Sequence, residues 1–207
     1  MKYNFFYRKS SFKKDKKNEK KLLDLIFFYK PRNFLEIGVL EGVSSKNICR
    51  LLDSIHSDNF IFLGIDLFGT DKEINNISQF TPISNKYSNP FKYIYFNYIL
   101  RENPHTIDAV RNFLKKYSDS VTLYKGYSHD ILPKIDLTDV DFTFLDGGHA
   151  YETVKIDLNL LLNKVKKGSI VLCDDYNILH YGVKDAVDEV KHKYYFEDLG
   201  RFALLRK

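Results

Sequence analysis

Short apolar runs alternate along this chain with longer segments whose apolar residues recur at helical spacing. This alternation is typical of a mostly parallel β-sheet, because one parallel strand is joined to the next by a long crossover, usually a helix. We therefore predict an α/β fold with helices on both faces of the sheet. The predicted strands are Asn33–Ile37, Phe60–Ile65, Val121–Tyr124, Phe142–Leu145 and Ile170–Cys173.

The connecting segments carry the helical pattern. Apolar residues at positions i, i+3, i+4 and i+7 form one stripe along a helix. This spacing predicts helices over residues 48–55, 107–117, 154–165 and 183–190. A leading helix from about Asn18 is expected to end at Tyr29, because Pro31 disfavours helical geometry at the residue before it.

The end of the chain has a different pattern. Tyr194–Asp198 and Phe202–Arg206 are two strand-like runs joined by Leu199 and Gly200. A connection this short can join only antiparallel neighbours. We therefore predict that the sheet ends with an antiparallel hairpin.

The length of 207 residues fits a single domain. Its predicted core is 30–68 and 120–207, and a basic segment with a helix covers 1–29. Residues 69–104 separate the second strand from the next helix by far more than a usual connection. This insertion is either a lid over a substrate site or a packed surface elaboration, with a homodimer contact as one form of the latter.

Charge and apolar content exclude several classes of partner. Much of the net charge of +5 lies in Arg8–Lys21. Such a stretch can contact nucleic-acid phosphates, but a charged N-terminal helix is more often a solvated face, so we predict no nucleic-acid partner.

Cys49 and Cys173 lie in apolar segments and indicate neither a disulfide nor a zinc site. Without a bilayer-length apolar run or a signal peptide, we predict a cytoplasmic protein with no membrane partner.

A glycine-containing turn follows the first predicted strand. The strand runs into Gly38, the chain turns through Gly42, and a helix opens with a serine cap at Ser44. Glycines allow the backbone to approach a ligand closely. Leu40 stands where the middle glycine of a dinucleotide fingerprint would fall, which argues against that kind of site. The alternative is a tight turn that binds nothing.

An acidic residue, Asp66, follows the second strand. A carboxylate at this position can accept hydrogen bonds from both hydroxyls of a ribose. Taken alone, Asp66 is as readily an ordinary turn residue. Downstream of the glycine turn, it favours a nucleoside site.

Three more acids follow the next two predicted parallel strands. Asp146 ends one strand, and Asp174 and Asp175 end the other, with one amphipathic helix between them. A right-handed crossover brings both strand ends to the carboxyl edge of one sheet, where such sheets bind ligands. Crowded carboxylates raise one another's pKa unless a cation compensates them, and Mg²⁺ prefers oxygen ligands. The alternative is that Asp174 caps the next helix while Asp175 faces solvent.

His149 lies three residues after Asp146. A neutral imidazole can accept a proton from a hydroxyl group, which makes this residue a candidate general base. The alternatives are that it caps the helix beginning near Tyr151 or orients Asp146.

With these residues the chain resembles the class I S-adenosylmethionine-dependent methyltransferases, and among them the macrocin- and mycinamicin-type metal-dependent O-methyltransferases. The resemblance implies a Rossmann-like fold with a seven-stranded sheet. It assigns to S-adenosylmethionine the residues Glu36, Gly38, Gly42, Ser44, Asp66, Ser128 and Asp146. It assigns Mg²⁺ to Asp146, Asp174 and Asp175, and the role of base to His149.

The implied reaction is O-methylation of a hydroxyl group on a small molecule, a sugar or a glycan precursor. Two other functions remain open: a nucleotide-binding Rossmann oxidoreductase, and a binding module that keeps this fold without turnover. The missing dinucleotide fingerprint and the acid cluster argue against the oxidoreductase.

Overall fold

The computed structural model describes residues 12, 15–69, 104–179 and 182–207. The predicted insertion therefore lies almost wholly outside the described residues, and its role stays a prediction. The helices are α1 (Lys16–Tyr29), α2 (Val43–His56), α3 (Ile107–Phe113), α4 (Ser128–Ile131), α5 (Tyr151–Lys164) and α6 (Val183–Val190). The strands are β1 (Asn33–Ile37), β2 (Ile61–Asp66), β3 (Val121–Lys125), β4 (Phe142–Leu145), β5 (Ile170–Cys173), β6 (Tyr195–Leu199) and β7 (Phe202–Arg206).

The strands form one seven-stranded sheet in the order β3-β2-β1-β4-β5-β7-β6. Strands β1 to β5 run parallel, while β7 pairs antiparallel with both β5 and β6. The predicted α/β fold with a C-terminal antiparallel hairpin is confirmed. In this order β1, β2, β4 and β5 are consecutive neighbours, so their carboxyl ends lie side by side.

Alternate residues of each central strand face opposite sides of the sheet and fill two separate cores. On one face Phe34 packs with Ile26 of α1 and Ile48 of α2. On the other face Leu35 packs with Leu158 of α5 and Val187 of α6. Full burial of such a side chain contributes about 1.5–3 kcal/mol, so the helices hold the strand ends in place from both faces.

Several element ends differ from the sequence-based predictions by one or two residues. Helix α1 begins at Lys16 instead of Asn18, because Asp15 caps it and accepts a hydrogen bond from the backbone N–H of Asn18. The helix predicted over 107–117 is divided at Leu114 into α3 and a short 3₁₀ turn, Lys115–Tyr117. No helix among the described residues is long and apolar enough to cross a bilayer.

Candidate active site

The sequence-predicted site residues lie along one edge of the sheet, at the carboxyl ends of neighbouring strands. Residues from β1 and β2 form one half of this edge, and residues from β4 and β5 form the other. The two halves meet at Gly38. Its backbone N–H donates to the carbonyl of Ile65, and the N–H of Asp146 donates to the carbonyl of Ile37.

The contact between Gly38 and the loop after β4 requires a glycine. Gly38 has a φ of 97°, and a Cβ atom there would lie 2.0 Å from the carbonyl oxygen of Asp146. No side chain fits at that distance. The glycine therefore lets the β1 turn pack directly against the loop that carries the acids.

The predicted serine cap of α2 is wrong. The cap residue is Gly42, with a φ of 73° and no side-chain hydrogen bond. The hydroxyl of Ser45 donates instead to Oε2 of Glu36, and Ser44 also hydrogen-bonds to this buried carboxyl group. Burying the carboxyl group of Glu36 without hydrogen-bond donors would be costly. The free backbone N–H groups in the first turn of α2 can instead be satisfied by a ligand, so the serine hydroxyls are used for Glu36.

Glu36 is fully buried at the end of β1. Burial, with a smaller contribution from the charge of Asp66, raises the pKa of Glu36 to about 7 despite the two serine hydrogen bonds. Its Oε1 atom has no hydrogen-bond partner among the described residues. A buried acceptor without a donor fits a site that a cationic or N–H-bearing ligand completes.

Asp66 is held by the backbone of two turns. Its Oδ2 accepts the N–H of Leu40 at 2.9 Å, and its Oδ1 accepts the N–H of Phe68 at 2.8 Å. Each oxygen keeps a second lone pair for a ribose hydroxyl. The Leu40 bond also supports an unusual backbone, because Leu40 has a φ of 53°.

Ser128 opens α4 after β3, where its hydroxyl donates to Oδ2 of Asp157 at 2.8 Å. Asp157 is buried on α5, and burial raises its pKa to about 6 although the Ser128 hydrogen bond lowers it. The sequence pattern gave no sign of this pair. The Ser128 oxygen can still accept a hydrogen bond, so its predicted place beside the adenine stays a prediction.

The three predicted metal ligands lie together. One oxygen each of Asp146, Asp174 and Asp175 lies within 4.8 Å of the others. Shielding from water, and then the charges of Asp174 and Asp175, raise the pKa of Asp146 well above its usual range. These carboxylate oxygens fit a hard divalent cation by their chemistry and spacing.

A residue that sequence reasoning missed, Arg201, already balances part of this charge. Its Nε lies 2.5 Å from Oδ1 of Asp174, and its Nη2 lies 2.6 Å from Oδ2 of the same carboxylate. Nη2 also lies 2.7 Å from Oδ1 of Asp175. The chain itself therefore compensates part of the charge of the three acids, and a metal ion at the cluster stays a prediction.

The structure contradicts the alternative roles predicted for Asp174 and Asp175. Asp174 caps no helix: its Oδ1 accepts the backbone N–H of Asp175, beside its contacts with Arg201. Asp175 is buried and does not face solvent. Its φ of 55° lies in the left-handed region, and one of its carboxylate oxygens lies close to oxygens of Asp146 and Asp174.

His149 lies beside the acids on the loop between β4 and α5. Its Nδ1 is 3.8 Å from Oδ2 of Asp175, and 37% of its side chain is exposed. It is not the cap of α5, because that residue is Ala150. The carbonyl of His149 accepts the N–H of Gly182 at 2.9 Å, which ties the loop to the start of α6.

A Rossmann-like sheet with this glycine turn and this acidic edge defines the class I methyltransferase fold. The model of a methyltransferase domain family matches residues 35–176. Because this is well over half of the chain, the chain belongs to that family. The class predicted from the sequence is thereby confirmed.

Solved structures agree on the fold. The calicheamicin methyltransferase CalS11 is 18% identical, with a TM-score of 0.65 over 93% of this chain and 80% of that one. An O-methyltransferase from Bacillus cereus in complex with SAH is 15% identical, with a TM-score of 0.57 over 92% of this chain and 81% of that one. A relative by sequence, the uncharacterized protein R132 of Acanthamoeba polyphaga mimivirus, is 38% identical over 64 residues, which span 29% of each chain.

Proposed function

We propose that this protein transfers a methyl group from S-adenosylmethionine to a hydroxyl oxygen of a small molecule or sugar. One observation carries the proposal: a nucleoside-binding arrangement and an acid–histidine cluster share one sheet edge and meet where Gly38 contacts Asp146. The first half suits a methyl donor and the second suits an acceptor hydroxyl. The chemistry therefore takes place between them.

The donor is proposed to lie across the ends of β1, β2 and β4. Asp66 would accept the ribose hydroxyls, and its two backbone hydrogen bonds support this role because they hold its carboxylate in one orientation. The unpartnered Oε1 of Glu36 suits a donor group on the amino-acid part of the ligand. Gly38 and Gly42 keep the turn free of side chains, and Ser128 would contact the adenine.

The acceptor is proposed to bind over the acid cluster. A ring nitrogen of His149 takes the hydroxyl proton while the oxygen attacks the methyl carbon. The carbon–sulfur bond breaks, and its electron pair stays on sulfur as the sulfonium becomes S-adenosylhomocysteine. Since the sulfonium is already a good leaving group, positioning and deprotonation supply most of the catalysis.

Asp146, Asp174 and Asp175 would hold Mg²⁺ or a similar cation, which when bound lowers the pKa of the acceptor hydroxyl. A sugar acceptor is favoured by CalS11, which is described as a TDP-rhamnose 3'-O-methyltransferase. We also propose a homodimer, a cytoplasmic location, and a role for residues 69–104 as a lid over the acceptor.

Calorimetry with S-adenosylhomocysteine and with NAD tests the donor site. We expect the first to bind and NAD not to bind. Labelled S-adenosylmethionine with TDP-rhamnose, and in parallel with catechol, tests the acceptor. Methyl transfer to TDP-rhamnose supports a sugar acceptor, and transfer to catechol alone supports a phenol. Binding of the donor with transfer to neither would favour the fold as a binding module.

A further inference from the structure

Arg201 is fixed from several directions at the acid cluster. The tip of the β6–β7 hairpin carries it, and its backbone carbonyl accepts the N–H of Tyr176 at 2.8 Å. The side chain of Asn177 donates to the carbonyl of Gly200 at 2.7 Å. The ring of Phe12 lies 5.0 Å from the guanidinium carbon. The hairpin tip is thus docked onto the turn after β5, with the guanidinium already aimed at the acids.

The guanidinium occupies the same oxygens that a metal ion would need. It contacts both oxygens of Asp174, whose side chain is 1% exposed, and one oxygen of Asp175, whose side chain is 10% exposed. A paired fork of this kind is among the strongest ion-pair geometries in proteins. A divalent cation at Asp174 therefore has to share these oxygens with the guanidinium, whose positive charge repels it, or displace the guanidinium.

We propose that Arg201 is a built-in counterion that competes with a divalent cation for Asp174 and Asp175. Arg201 stabilises the cluster of acids in the absence of metal, and it lowers the affinity of the cluster for a metal ion. This inference rests on the proposed metal site and concerns how the chain controls its occupancy. Because Arg201 sits at the hairpin tip, metal entry and the position of the hairpin are coupled.

Calorimetric titration of Mg²⁺ and Mn²⁺ into metal-free protein tests the competition without any methyl acceptor. We expect Arg201→Gln to bind either ion at least tenfold more tightly than the wild type. Arg206→Gln is the matched control, because it removes the same charge from the other end of β7, where Arg206 lies 4.6 Å from the ring of Tyr195. It should bind metal as the wild type does.

Thermal unfolding gives a second readout. The wild-type melting temperature should not change in excess chelator, whereas that of Arg201→Gln should fall and be restored by Mg²⁺. If Arg201→Gln does not fold, Arg201→Lys decides the matter: it keeps the charge without the planar fork, and its metal affinity should lie above that of the wild type.

Equal or weaker metal affinity in the Arg201 variants would overturn the proposal, as would a wild-type protein that loses stability in chelator. If neither the wild type nor the variants bind metal, the proposed competition and the proposed metal site are both wrong. Binding of S-adenosylhomocysteine, measured in the same experiments, then shows whether the proposed methyl-donor site stands without them.

Discussion

The carboxylate of Asp66 shows how one residue can serve the backbone and a ligand together. It accepts N–H groups from the turn after β1 and from the segment after β2, at 2.9 and 2.8 Å. These bonds fix the position of both oxygens before any ligand arrives. Little side-chain freedom is then lost on binding, which favours affinity.

Replacing Asp66 with Ala should weaken binding of S-adenosylhomocysteine by about 10- to 150-fold, the equivalent of roughly 1.5–3 kcal/mol for hydrogen bonds to a charged group. Calorimetry measures the change. Asp58→Ala is the matched control, because Asp58 is exposed and lies before β2, at the opposite edge of the sheet. If Asp66→Ala binds S-adenosylhomocysteine as tightly as the wild type, Asp66 does not bind the ribose.

Replacing His149 with Ala should lower turnover by about 10²–10⁴-fold, the usual cost of losing a general base. Affinity for S-adenosylhomocysteine should stay the same, since the imidazole lies beside Asp175 in the acid cluster and not beside Asp66. Initial rates with TDP-rhamnose or catechol, whichever the wild type methylates, together with calorimetry, separate the two effects. His192→Ala, at an exposed position in the turn before β6, is the control. Wild-type turnover in His149→Ala would show that the imidazole is not the base.

At the scale of elements, the β1 turn and the β4 loop are packed backbone against backbone. The Gly38 contact with Asp146 joins the proposed donor half of the site to the acid half. A side chain at this point would push the two strand ends apart. The glycine is thus required by packing as well as by its positive φ.

Gly38→Ala and Gly168→Ala separate these two requirements. Both glycines have a similar φ, 97° and 91°, but a Cβ at Gly168 would meet nothing within 4 Å. Gly168→Ala should therefore cost only the conformational term, about 1–2 kcal/mol of unfolding free energy. Gly38→Ala should cost more than about 2 kcal/mol beyond that, as overpacking adds to the strain. Urea denaturation compares them, and equal losses would show that the close contact does not matter.

At the scale of the whole molecule, buried carboxyl groups on the site side of the sheet set the pH dependence of stability. Burial raises the pKa of Glu36 to about 7 and that of Asp157 to about 6. A raised pKa means that the folded state holds the proton more tightly than the unfolded state. The resulting stabilisation is full below the unfolded pKa and is lost as pH rises through the folded pKa.

For Glu36, unfolding free energy should decline between pH 4.5 and about 7, by roughly 3 kcal/mol, and then level off. Glu36→Gln should remove this part of the decline and leave the parts due to Asp157 and to the raised pKa values of Asp146 and Asp175. Glu152→Gln, at an exposed position on α5, should retain the wild-type profile. Chemical denaturation at a series of pH values provides the test. A slope that Glu36→Gln leaves unchanged would mean that Glu36 is not the group responsible.

The sequence by itself determined the elements and the edge of the sheet that carries the site. Strand runs, helical spacing and the glycine turn are local patterns, and the right-handed crossover rule then places the ends of β4 and β5 together. For that reason Asp146, Asp174 and Asp175 could be predicted to meet. The resemblance added the assignment of these residues to a donor, a metal and a base.

Only the tertiary structure decided what surrounds those residues. Arg201 is 27 residues from Asp174 in sequence, and alone it looks like an ordinary charged turn residue. The apolar strand β7, and not β6, lies beside β5 and runs antiparallel to it. Strand β7 therefore begins at the edge of the sheet where β5 ends, and Arg201, just before β7, lies next to the acids at that edge. Likewise, Ser45 bonds to Glu36 only because α2 packs its first turn over the end of β1. Such contacts depend on how distant elements pack, and no local pattern encodes that choice.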